Sequence, residues 1–393
     1  MPVSDFSEQK TAKHTPIEPV HRELGAKFTP FAGWLLPLRY PSGEISEHLA
    51  TRRSVGIFDV SHLGRIIVRG PHSFELLQSF LSNDLNKIHV GRCQYSLVLS
   101  EDGTVVDDVI VWWLDRDRFC VLPNASNTAE VGNRLLDHKE KLGYDASIDD
   151  ITSETALIAV QGPAWREAAK EAGFPEDALP ARMQALEKST FLIAGTGYTG
   201  EPGCEVVVEA DAAAEWFEKL IKAAQGIGGL PAGLGARDSL RLEMGYLLHG
   251  SDMDSSVSPY DVGLGWAVAM SKPDFVGKQA LEMRRKAGPR FEIKGLVTSG
   301  RQAIPRTGYR VVVGSDPRTS DTSAREPSAE GVVTSGGYSP CREAGIALVR
   351  FPRPTDGTLL DGSRSSEVYV DVRGRWEQAR VEKPPFVHTA LTK

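Results

Sequence analysis

The strongest pattern in the chain is a series of β-rich, largely apolar runs between 95 and 122, interrupted twice by polar turn residues. Tyr95 to Ser100 leads into Glu101-Asp102-Gly103, a second run extends from Val105 to Trp113, and Asp115-Arg116-Asp117 precedes Phe119 to Leu122. Three β-rich stretches joined by tight turns predict an antiparallel meander. A helical period replaces this β pattern at 44–54, 73–81, 128–142, 164–172, 212–224, 236–247 and 277–285. Strand text also occurs at 58–68, 156–161 and 205–209, whereas 14–40 is rich in turn formers around Phe28, Phe31 and Trp34. Helices and strands without a parallel βαβ fingerprint predict an α+β arrangement of layers.

Beyond Gly288 the character changes. Short β-rich runs at 293–297, 309–313, 331–334, 345–349, 368–372 and 378–381 carry no convincing helix between them. Such spacing predicts an antiparallel barrel or sandwich of about 100 residues. The polar stretch 314–330 reads as an enlarged hairpin loop. Residues 1–12 read as a flexible N-terminus, 13–287 as one region and 288–393 as the barrel domain.

Length and composition narrow the classes. A chain of 393 residues is too long for one compact core. Its net charge of −7 argues against nucleic acid, and no apolar run is long enough to span a membrane. The start lacks a signal-peptide core, so a cytoplasmic protein is expected. Cys93, Cys120, Cys204 and Cys341 are scattered, and the histidines show no ligand spacing, so neither a disulfide framework nor a metal is expected.

Candidate chemistry concentrates in two places. Asp107 and Asp108 interrupt an apolar strand, where buried unpaired carboxylates would be costly. Alternation gives Asp108 the face of Ile110 and Trp112, and Asp107 the face of Val109, Val111 and Trp113. Either one of them anchors a ligand or does catalysis, or both cap backbone groups or pair with arginine. Asn124 follows the third strand and could turn the chain or meet a ligand, and Asn127 is placed as the N-cap of the next helix. The second place is Gly195-Thr-Gly-Tyr198-Thr-Gly-Glu201-Pro-Gly-Cys-Glu205 with Gly233-Leu-Gly-Ala-Arg237-Asp238. Dense glycines allow positive φ and close approach to a ligand. A carboxylate and a guanidinium together offer opposite edges to one polar heterocycle. Arg241, four residues after Arg237, is assigned a structural ion pair. Lone aromatics such as Trp34, Trp266 and Phe275 suit a core, and Cys204 a space-filling role. Asp59, Ser61 and His62 do not converge in a strand, which excludes a hydrolase triad.

Taken together, these motifs resemble the glycine cleavage T-protein family. The text that carries the resemblance includes Phe31-Ala-Gly-Trp34, Phe58-Asp-Val-Ser-His62, Asn83-Asp84, Asp107-Asp108, Gln161-Gly-Pro163, Gly197-Tyr-Thr-Gly-Glu201, Gly233-Leu-Gly-Ala-Arg-Asp238, Thr334-Ser-Gly336 with Ser339-Pro340, and Lys383-Pro-Pro-Phe386. The resemblance implies two interleaved ferredoxin-like domains and a C-terminal antiparallel β-barrel around a central folate cavity. By position it implies Asp108 as the catalytic aspartate, and Glu205 and Arg237 as the pterin-holding pair. It also implies Tyr95, Asn124, Tyr198, Leu63, Trp112, Tyr246 and Trp266 as cavity-lining residues. The implied reaction moves a one-carbon unit from the aminomethylated lipoyl arm of H-protein to tetrahydrofolate, without metal, nucleic acid or membrane. A folate-dependent demethylase is the nearest alternative. A non-catalytic folate-binding protein of iron–sulfur assembly is another, but its Lys-Gly-Cys-Tyr type motif is absent. The chain departs from the family at Cys341-Arg-Glu-Ala-Gly345 and in the longer 314–330 insertion.

Overall fold

A computed structural model describes residues 12–300, 302–314, 316–318, 329–353 and 367–392. Two sheets stack face to face in the first region. One has six strands, with Thr155–Gln161 central between Gly203–Glu209 and Gly56–Asp59. The other has five, with the meander Cys93–Leu99, Val105–Asp115 and Arg118–Leu122 continued by Ile66–Arg69 and Ser147–Asp150. In sequence, all strands of the five-stranded sheet fall between Gly56–Asp59 and Thr155–Gln161.

Burial explains the order of layers. Every residue of Thr155–Gln161 is buried. Ala156, Ile158 and Val160 face a core shared with the helices Trp165–Glu171 and Ala213–Gly226, through residues such as Ala168 and Phe217. Leu157 and Ala159 face the other way, into a core with Phe58, Val207, Trp112 and Cys120 that joins the two sheets. A strand covered on both faces is an unbroken apolar run rather than an alternating one. The far face of the meander, through Val98, Val109, Val111 and Phe119, packs on the helices Ser73–Phe80 and Thr128–Leu142. The layers therefore run helix, sheet, sheet, helix.

Six antiparallel strands close the C-terminal barrel in the order Phe291–Thr298, Ala344–Pro352, Ala329–Ser339, Arg310–Val313, Val368–Val372, Arg375–Val381. Its interior holds Leu296, Val311, Val349, Phe351 and Val370. Most of 314–330, including much of the expected hairpin loop, lies outside the described residues, as do residues 1–11 of the expected flexible N-terminus.

Buried ionic networks lock the barrel to the helix Leu234–Glu243. Arg241, assigned a structural role on sequence grounds, has one: it donates to Asp238 at 2.8 Å, to Asp252 at 3.0 Å and to barrel Ser335 at 2.9 Å. Asp252, fully buried, also accepts from Thr334 at 2.6 Å, Ser335 at 2.8 Å and the Leu248 amide at 2.9 Å. Two residues on, Glu243 accepts from Arg52 at 2.9 Å and Ser339 at 2.5 Å, while its carbonyl accepts from the Phe386 amide at 2.7 Å. Burial works to raise the Glu243 carboxyl, but His48 and Arg52 hold it down at about 2.

Several expected elements differ. The stretch 58–68 is not one strand but two, Gly56–Asp59 and Ile66–Arg69, separated by a turn in which Gly64 packs under Pro123 and Thr128. The helix placed at 236–247 spans Leu234–Glu243 and ends before Gly245, whose φ of 70° suits glycine alone. The turn-rich 14–40 stretch contains the helix Glu18–Glu23 and the hairpin Lys27–Phe31 with Trp34–Arg39.

Candidate functional site

The face shared by the two sheets runs out of apolar residues at one end, and polar side chains take over. Asp108 stands on that face, in register with Ile110 and Trp112, and Glu205 stands on the facing sheet, in register with Val207. Beyond them opens a cavity of about 2070 Å³, lined from the meander by Tyr95 and Asp108, from the six-stranded sheet by Glu205, and from the barrel by Ser335 and Leu348.

Asp108 accepts from Asn124 Nδ2 at 2.8 Å on one oxygen and from the Tyr95 hydroxyl at 3.1 Å on the other. Burial raises its pKa, and these two hydrogen bonds work against the rise. Asp107 points to the opposite side and is fully buried. It accepts from the Asn124 backbone amide at 2.9 Å, Asn124 Nδ2 at 2.8 Å and Asn127 Nδ2 at 2.7 Å. Burial first, and then the Asp108 charge, push it up to about 7, against those amide donors. The neighbours thus divide the labour: Asp107 grips Asn124, and Asn124 steadies Asp108. No arginine pairs with either among the described residues. Asn127 occupies the N-cap position, but its side chain makes no cap hydrogen bond: its Oδ1 accepts from the Ser126 hydroxyl at 3.1 Å while its Nδ2 donates to Asp107.

Across the cavity wall, Glu205 accepts from Thr196 at 2.5 Å through Oε2. Its Oε1 has no hydrogen-bond partner among the described residues. Burial raises the Glu205 pKa, opposed by Thr196 and by the Arg237 charge. Arg237 lies in the first turn of Leu234–Glu243, with its guanidinium 4.8 Å from the Tyr198 ring centroid. Its guanidinium makes neither a hydrogen bond nor an ion pair among the described residues, so five N–H donors are unspent. Burial lowers its pKa and the Glu205 charge opposes the shift. Tyr198 stacks on Tyr246 at 5.8 Å and donates to the Leu247 carbonyl at 2.5 Å.

The cavity brings together Asp108, Tyr95, Asn124, Glu205, Arg237 and Tyr198, and Leu63, Tyr246 and Trp266 also line it. Trp266 is not a core residue: it is 64% exposed and stacks on Tyr95 at 5.1 Å. Trp34 and Phe275, by contrast, are buried. Trp112 does not reach the cavity. It is fully buried between Cys93 and Cys120, its partners on the flanking strands, so it supports the wall from behind. Cys204 is buried in the core, as its space-filling reading requires.

The glycines also act differently from expectation. Of those in 195–203, only Gly200 has a positive φ, 76°. A Cβ on Gly197 would fall 1.9 Å from Gln161 Oε1, and one on Gly195 would fall 2.0 Å from the Ala181 carbonyl. The close approach is of chain to chain, with Gln161 Nε2 donating to the Thr196 carbonyl at 3.1 Å.

Sequence reasoning missed Thr196, His249 and the positioning role of Asn127. His62, known to it from the rejected triad and as the end of a family motif but given no site role, lines the cavity, and burial together with the Arg237 charge pushes it down to about 3. Among the described residues, His48, Glu243 and Cys341 bring three potential metal donors within 4.8 Å of one another. Arg52 already occupies that carboxylate.

The sequence matches the GCVT N-terminal domain over residues 17–272 and the glycine cleavage T-protein C-terminal barrel domain over 292–388. It is 40% identical to an aminomethyltransferase of Mycobacterium avium (strain 104), covering 97% of this chain and 99% of that protein. Identity is 42% to an aminomethyltransferase of Parafrankia sp. (strain EAN1pec), covering 95% and 98%. A crystal structure of glycine cleavage system aminomethyltransferase T from Bartonella henselae superposes with a TM-score of 0.85 at 34% identity, covering 97% of this chain and 99% of that one.

Proposed function

This chain belongs to the glycine cleavage T-protein family, and we propose that its cavity is where an aminomethyl group passes from a lipoyl sulfur to tetrahydrofolate. It is an aminomethyltransferase. The observation that carries the assignment of roles is the unspent pair: Glu205 and Arg237 stand on one wall, with Oε1 and five N–H groups free for a ligand. Glu205 accepts from the amino and ring N–H groups of a pterin, and Arg237 donates to its acceptor edge. Tyr198 and Tyr246 supply flat apolar surface, Leu63 lines the same cavity, and Trp266 on Tyr95 forms a second platform.

Asp108 is the catalytic group. As the carbon–sulfur bond breaks, positive charge gathers on the iminium-like carbon and nitrogen, and a fixed carboxylate in a partly dry cavity stabilises it. Asn124 and Tyr95 hold that carboxylate in place and help align the folate amines for attack. The products are 5,10-methylenetetrahydrofolate, ammonia and the dihydrolipoyl protein. The donor is the lipoylated H-protein; among the described residues no helix is long and apolar enough to cross a membrane. Mixing the protein with aminomethylated H-protein and tetrahydrofolate tests the proposal, with stoichiometric ammonia as the expected result. Turnover of a methylated amine or sulfonium donor without H-protein would instead support the demethylase alternative.

A further inference from the structure

His249 is a cavity-lining side chain whose hydrogen-bonding capacity is half spent. Its Nδ1 lies 3.1 Å from Asn127 Nδ2. That Asn127 atom must be the amide nitrogen, because it also meets Asp107 Oδ1 at 2.7 Å and a carboxylate oxygen accepts. Asn127 therefore donates to Nδ1, and in the neutral ring the proton sits on Nε2. Nε2 is buried without a hydrogen-bond partner among the described residues, and His249 lines the same cavity as Asp108. The backbone is pinned on both sides, by the Leu248 amide on Asp252 at 2.9 Å and the Gly250 amide on the Met253 carbonyl at 2.8 Å.

Charge decides what this N–H serves. Asn124 and Tyr95 spend their donors on Asp108, so that corner otherwise favours cations. Breaking the carbon–sulfur bond sends the electron pair to sulfur, and the thiolate is the one anion the transfer creates. We infer that His249 Nε2–H donates a hydrogen bond to the lipoyl sulfur as it departs, making His249 a second catalytic residue. The inference rests on the aminomethyl-transfer reading. The bookkeeping closes without a proton lost by His249: the nitrogen lone pair forms C=N as the C–S bond breaks, N5 of folate adds to the carbon, and N10 bonds to it as the original C–N bond breaks and the amine nitrogen leaves. Their two released protons end on ammonia and on the thiol.

Three variants of the full-length protein separate this from a structural role. In His249→Gln, the side-chain carbonyl can take Asn127 while the amide nitrogen offers N–H to the cavity. In His249→Glu, the carboxylate can take Asn127 but offers the cavity only an acceptor. His249→Leu does neither. With aminomethylated H-protein, kcat is expected to stay within about threefold for Gln and to fall on the order of tenfold to a hundredfold for Glu and Leu. Calorimetric tetrahydrofolate affinity should be unchanged in all three. Equal kcat for Gln and Glu, full kcat for Leu, or loss of folate affinity in step with kcat overturns the inference. If Leu does not fold, the Gln–Glu comparison decides alone. Absence of ammonia release by the unsubstituted protein sinks the reaction reading, and the inference with it.

Discussion

Replacing Asp108 by asparagine removes one charge and almost nothing else. Oδ1 of the new side chain can still accept from Asn124 Nδ2, which lies 2.8 Å from the present oxygen. Its amide nitrogen then faces the Tyr95 hydroxyl, 3.1 Å from the present Oδ2, and a hydroxyl can rotate to accept. The fold should therefore lose little, and relief from burying a carboxylate offsets part of that. What disappears is the attraction between a carboxylate and the iminium-like carbon. At about 4 Å and an effective dielectric near 20, that attraction is roughly 4 kcal/mol. At about 1.4 kcal/mol per tenfold, kcat should fall on the order of a thousandfold. Single-turnover ammonia release from aminomethylated H-protein measures the chemical step, and calorimetry measures tetrahydrofolate binding separately. A drop smaller than about tenfold would refute the charge argument. So would a parallel loss of folate affinity, which would make Asp108 a binding group.

Arg237→Met should leave the melting temperature nearly unchanged, because no protein hydrogen bond among the described residues is lost, while tetrahydrofolate affinity falls by about 1.5–3 kcal/mol in calorimetry. Asp252→Ala strips Arg241 of the fully buried one of its two carboxylate partners, leaving the half-exposed Asp238, and should destabilise the protein by about 3–5 kcal/mol in urea unfolding. The burial of Asp107 sets a pH dependence. Its folded pKa, about 7, lies above the ordinary carboxylate value, so the folded state holds the proton longer than the unfolded chain. Its contribution to stability is complete below about pH 4 and is lost as pH rises through about 7. Thermal melts of Asp107→Asn should decline less over that window than those of the unsubstituted protein, and identical slopes would remove the assignment.

The meander was legible because each of its strands is a β-rich run bounded by turn chemistry, and the facing of Asp108 with Ile110 and Trp112 followed from parity alone. Parity could not say how far along that face the cavity begins. Trp112, read as a wall residue, lies two positions too deep, between Cys93 and Cys120. The barrel was readable for the same local reasons. Phe191–Ala194 and Ala185–Lys188 were not, since four-residue strands carry too little pattern. Asn127 misled because a residue at a helix start ordinarily caps it, and only tertiary placement brings Asp107 within its reach. His249 had no signal at all. A lone histidine after a helix acquires meaning only when Asn127, 122 positions earlier, fixes its tautomer.

Arg237 rides on the same short helix as Arg241 and Glu243, and those two neighbours are satisfied by Ser335, Ser339 and the Phe386 amide. During synthesis, those partners emerge from the ribosome last. A nascent chain that has already made both sheets can pair Arg241 with Asp252 and Glu243 with Arg52, but it lacks the barrel partners that fix this helix in place, and the guanidinium proposed to meet folate sits on a segment anchored on one side only. Vitamin capture should therefore be a property of the released polypeptide alone, and a chain stalled before residue 335 should ignore the ligand however well its sheets have formed.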